Sequence, residues 1–185
     1  MSIADLHLGL LATGPRHGYE VKKEHDAWFP EVRPLAFGQV YATLGRLVRD
    51  GLVEVVDARP EGGHDRTVYA VTDAGRARLR QWLAEPAPPA GTGGEEVVRK
   101  TVVALRALAA VGGHIGAREV VARQRAAHLR RMRALQELDD AGSGDDVARQ
   151  LVKRHALLHL DADLRWLDEA AEALTQDSDS DLTAT

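Results

Sequence analysis

Three side chains in the first third of the chain have types and spacing suited to reading a DNA groove. Gln39, Thr43 and Arg46 lie at i, i+4 and i+7, one continuous stripe if the segment is helical. Gln and Arg match the hydrogen-bonding edges of adenine and guanine in the major groove, and Thr can meet a base or a thymine methyl. No acidic residue lies between Gly38 and Arg49, so Arg46 and Arg49 leave this stretch locally basic. The same pattern also fits an ordinary solvated helix face. A second constellation lies far along the chain. His155, His159 and Asp163 recur every four residues, and two imidazoles with a carboxylate on one helix face can hold a divalent metal. On a heavily charged helix the pattern more often has no ligand, so no metal and no cofactor is expected. No nucleophile elbow, phosphate-cradling loop or paired-carboxylate motif appears, so the chain is not expected to be an enzyme.

The elements that must position these residues follow from periodicity. Val40, Leu44, Leu47 and Val48 form an apolar stripe that would turn Gln39, Thr43 and Arg46 outward. Gly51 suits the C-terminal end of that helix. Two further helices precede it, the first stopped by Gly14-Pro15 and the second running over residues 18–29. Leu52–Val56 and Thr67–Val71 are β-branched runs around a loop with Pro60, Gly62 and Gly63, which predicts a hairpin. Arg59 and Arg66 lie at its tip as phosphate candidates, beside Glu61 and Asp65. Thr72 is the expected N-cap of a fourth helix. Three helices, a hairpin and a helix is the order of a winged helix-turn-helix.

Beyond residue 84 the composition changes. Ala84–Gly94 is rich in proline and glycine and reads as a linker. Of eight aromatics, only Trp166 follows it. The expected organisation is a winged module over 1–84, a linker over 85–94, an all-α domain over 95–175 and a disordered acidic tail over 176–185. The fold class is thus mainly α, with a two-stranded hairpin wing. In the last long helix, Leu157, Leu160, Leu164, Leu167, Ala171 and Leu174 step by three and four residues, a seam for helix pairing and a candidate dimer contact. Val147, Leu151, His155, Leu158, Ala162 and Trp166 make a second stripe, so this helix calls for two neighbours, one of them a second subunit. Trp166 and Met132 are candidates for a small-molecule pocket, against the plainer roles of interface anchor and core filler. The arginines at 123, 125, 130, 131 and 133 are expected to pair with the acidic last helix.

The whole chain has 24 Lys+Arg and 28 Asp+Glu, net −4, with no cysteine. Disulfide scaffolds and thiol switches are excluded. No signal peptide or membrane span is visible, so a cytoplasmic protein is expected.

Leu8–Ala12 with Gly14–Val21, Tyr41–Leu47 with Gly51–Val53, and Tyr69–Arg76 occur in that order. Together they resemble the PadR family of transcriptional regulators, in its larger branch with a long helical C-terminal domain. The resemblance implies a DNA-binding regulator, a repressor released by an effector. It also implies a homodimer that sets two winged modules on a pseudo-palindromic operator. It places Tyr41 near the DNA backbone, with packing against the second helix as the alternative. Lys22 and Lys23 are candidate phosphate contacts, though Glu20 and Glu24 beside them favour a solvated face. Family members often carry Ser-Pro before the reading helix; here Ala36 and Phe37 stand there, and alanine cannot cap. The rival reading is a metal- or ligand-binding helical protein whose winged module mediates protein contacts.

Overall fold

The computed structural model describes residues 3–29, 34–57, 67–89, 95–112, 115–140 and 147–183. The chain divides into two compact units, Met1–Ala84 with Val102–His114, and Glu85–Thr101 with Ile115–Thr185.

The first unit begins with α1 (Ile3–Ala12), almost wholly buried. Pro15 favours extended backbone just before it, and the next two residues form a short strand, β1 (Arg16–His17). Helices α2 (Gly18–Trp28) and α3 (Phe37–Arg49) follow. Val40, Leu44 and Leu47 of α3 are buried on one side. The helix ends at Gly51, whose φ of 70° any other residue would adopt at a cost. There the Leu52 N–H donates to the Leu47 carbonyl and the Gly51 N–H to the Val48 carbonyl, closing the last turn.

Strands β2 (Val53–Asp57) and β3 (Val68–Val71) form the expected hairpin. Its loop, with Arg59 and Arg66, lies outside the described residues. The sheet has three strands rather than two, in the order β1-β3-β2, all antiparallel. Two residues are too few for β1 to show an alternating pattern in sequence. Helix α4 (Asp73–Ala84) is capped as expected: the Gly75 N–H donates to Thr72 Oγ1 at 3.1 Å. The Thr72 hydroxyl in turn donates to the Gly51 carbonyl at 2.8 Å, tying the start of α4 to the end of α3. The C-terminal half of α5 (Glu95–Val111) completes this unit. Arg76 and Arg80 donate to the carbonyls of Ala110 and Val111, each at 2.8 Å.

The second unit is built on α6 (Ala117–Asp140) and α7 (Val147–Thr183). They run antiparallel, as their pairings show: Arg118 with the Leu174 carbonyl, Arg125 with Asp168 at 2.6 Å, and His128 with Asp163 at 3.3 Å. Helix α7 continues to Thr183, through the stretch read from sequence as an acidic tail.

Residues 85–89 of the proline-rich stretch are anchored within this unit. Ala87 is buried in a cluster with Val97, Val121 and Leu167. Its N–H donates to Gln124 Oε1 at 2.6 Å, and its carbonyl accepts from Gln124 Nε2 at 2.8 Å. Lys100 donates to the Glu85 carbonyl. A buried peptide group must find partners, and one glutamine supplies both.

Candidate nucleic-acid interface

The start of α3 is capped from within. The Ala36 N–H donates to Gln39 Oε1 at 3.1 Å, the half of a capping box that needs no side chain at Ala36. Glu20 does the same for α2, accepting the His17 N–H at 2.8 Å. The Gln39 side chain therefore already has a structural task, with its NH2 group left to donate outward.

The exposed face of α3 carries Gly38, Gln39, Ala42, Arg46 and Arg49. Arg46 and Arg49 form no ion pair with another described residue, which leaves both guanidinium groups to meet an anion. Thr43 does not belong to this face, a correction to the sequence reading. It is buried, and its hydroxyl donates to the Gln39 carbonyl at 2.8 Å. Tyr41 is half-buried and its ring packs on the start of α2. A Cβ placed on Gly18 would lie 2.4 Å from the ring, so only glycine fits beneath it.

Two glycines, exposed Gly38 and half-buried Gly45 beside that face, escaped the sequence reading. A Cβ built on Gly38 or Gly45 would meet nothing within 4 Å. A glycine inside a helix costs about 1 kcal/mol against alanine, and no packing in the described structure requires one there. That stability cost at Gly45 was the signal in the sequence.

Lys22 is not free to seek a phosphate. It pairs with Asp26 at 2.5 Å and lies over the Phe37 ring at 5.2 Å. Phe37 stacks on exposed Tyr19, with ring centroids 6.2 Å apart, and remains half exposed itself. Partial burial opposes ionisation of Asp26. Hydrogen bonds from Lys22 and His25, the Lys22 charge and the Leu35 N–H outweigh it and hold the carboxyl below its ordinary range. Lys23 is exposed.

In the second unit the heptad seam is occupied within the chain. Leu160, Leu164 and Leu167 are buried in a single copy, and Leu157, Ala171 and Leu174 are half-buried. The sequence reading made this seam a candidate dimer contact; here it packs inside the unit. The faces of α7 that stay uncovered carry Val147, Leu151, Val152 and Leu158. Trp166 packs against the cluster around Ala87, which gives it an anchoring role. Met132 is half-buried on α6, outside that cluster. Of the basic cluster, Arg125 reaches Asp168 on α7, while Arg123 pairs with Glu119 of its own helix. His155 and His159 lie side by side, but Asp163 turns to His128. Among the described residues no group of three metal-ligating side chains forms.

Two family profiles match the sequence. The transcriptional regulator PadR-like family matches residues 8–81, and the C-terminal domain of virulence activator α matches residues 101–175. Over residues 8–81 the chain belongs to the PadR family of transcriptional regulators. It is a regulator rather than an enzyme. A curated relative of this PadR-family chain is the probable transcriptional regulator Rv1176c of Mycobacterium tuberculosis. It is 28% identical over 171 residues, covering 86% of this chain and 90% of the relative. Among solved structures, Bacillus subtilis PadR in complex with operator DNA is 20% identical, with a TM-score of 0.45, over 92% of this chain and 98% of that one. The Vibrio cholerae virulence activator AphA is 26% identical, with a TM-score of 0.41, over 95% and 99%.

Proposed function

We propose that this PadR-family regulator binds double-stranded operator DNA through α3, as a homodimer that represses transcription until an effector releases it. The observation that carries the reading is the exposed face of α3, where Arg46 and Arg49 form no ion pair among the described residues and Gln39 is exposed beside them. Arg46 and Gln39 read base edges, and Arg49, Tyr41, Lys23 and the wing arginines Arg59 and Arg66 hold phosphates. The winged module is residues 1–84 completed by the C-terminal half of α5, and the helical dimerisation domain is built on α6 and α7. The second copy covers the exposed stripe of α7 around Leu151 and Leu158. The half-sites then lie about one DNA turn apart or a small multiple of it. A cytoplasmic location fits this role; among the described residues no helix is long and apolar enough to cross a membrane.

Binding of fluorescent DNA from the protein's own upstream region tests the reading. Arg46→Ala is expected to weaken binding about 10- to 100-fold, the value of one bidentate base contact. Arg49→Ala should reduce the salt slope by about one unit. Thr43→Val should bind within about twofold of wild type, since its hydroxyl is spent on the helix backbone. Wild-type affinity in the Arg46 variant defeats the assignment of α3.

A further inference from the structure

We propose that His155 and His159 form a binding site for a divalent transition-metal ion on the surface of α7. The two imidazoles lie one turn apart, with their Nε2 atoms 3.0 Å from one another. Their ring centroids are 4.3 Å apart and the ring planes meet at 62°. The two Nε2 atoms therefore lie close enough together to share one ion. Metal–imidazole bonds are about 2.0–2.1 Å long, so one ion equidistant from both nitrogens would see them at about 91–97°. That is the cis angle of an octahedral or tetragonal ion and is narrower than the tetrahedral angle. Tetragonal nitrogen sites favour copper(II) and nickel(II), and imidazole suits both.

The surroundings restrict the donor set. Asp163 completes the motif in sequence, but its carboxylate lies 3.3 Å from Nε2 of buried His128. No third histidine, aspartate or glutamate joins the pair among the described residues. Water fills the remaining coordination positions. In a single chain His155 is exposed and His159 half-buried, and His155 lies on the stripe proposed for the second copy, so a bound ion sits at the edge of that contact. Without the ion the two rings share an Nε2–H···Nε2 hydrogen bond. When the ion binds, the donor ring carries its proton on Nδ1 instead, and the two neutral rings keep the same total number of protons.

The site is independent of the DNA-binding reading, and its test needs no DNA. The full, tag-free chain is titrated with nickel(II) or copper(II) chloride by calorimetry, and the visible absorption of the bound ion is recorded. The expected result is binding at one ion per chain. His155→Ala and His159→Ala should each weaken it at least about tenfold and remove its absorption band. Helix content by circular dichroism should match wild type in both variants, which separates loss of a ligand from loss of the fold. Wild-type affinity in both variants, or no binding below about 1 mM in the unmodified protein, overturns the proposal.

Discussion

His7 is enclosed by the packing of α1, and neither ring nitrogen has a hydrogen-bond partner among the described residues. Burial, reinforced by His25 nearby, lowers its pKa from 6.5 to about 4. Between those values the unfolded chain takes up a proton that the folded chain refuses. Stability is therefore unaffected above pH 6.5 and falls as the pH drops towards 4, by about 3 kcal/mol at the lower end. His7→Leu should lose less stability than wild type between pH 7 and pH 5, compared by urea unfolding at each pH. Equal losses would assign the acid sensitivity elsewhere. At this scale the sequence was legible where type and position agreed: Gln39, Arg46 and Arg49 are exposed on α3 as expected. Thr43 was misread because Val48 was counted as core, yet it is only half-buried. Each helical residue turns through about 100°, so including Val48 swung the expected inner face away from Thr43. The paired state of Lys22 was not legible, because the sequence does not say that Asp26 is the nearer anion.

The helices and the hairpin were readable from apolar spacing and breakers, and their joints were not. One such joint is Gly75 in the first turn of α4. A Cβ there would lie 2.1 Å from the Leu52 carbonyl oxygen, which is backbone and cannot swing aside. Gly75→Ala should cost about 1–3 kcal/mol or more, seen as a lower midpoint in thermal unfolding. Gly45→Ala is the opposite case. Its Cβ meets open space, so the helix should gain up to about 1 kcal/mol while DNA affinity falls. A stabilised variant with undiminished affinity would mean that nothing approaches α3 closely at that point. Neither glycine's surroundings can be inferred from its own neighbours in the chain. The cap at Ala36 likewise depends on a glutamine three residues on, where a search for a capping hydroxyl finds none.

Across the whole molecule, the sequence identified α7 as a helix with two apolar faces but not which face stays inside the chain. Leu160 and Leu158 separate the two roles. Leu160 is fully buried, and Leu160→Ala should cost about 2–5 kcal/mol of folding stability. Leu158 is 60% exposed, so Leu158→Asp should leave the unfolding midpoint nearly unchanged. It should instead shift the protein from dimer to monomer in light scattering. An unaltered dimer would place the second copy elsewhere. The proline-rich stretch shows the same limit: its composition announced a break between elements, but not that Gln124 grips Ala87. The sheet adds a constraint on how copies meet. Strand β2 lies at its edge, with Val55 and Val56 exposed. Register jumps between Val55 and Asp57, leaving Val56 as the extra residue of a bulge flanked by acidic Glu54 and Asp57. An edge so kinked and charged is a poor template for another strand. The wing can thus offer its backbone to solvent without seeding cross-β aggregation.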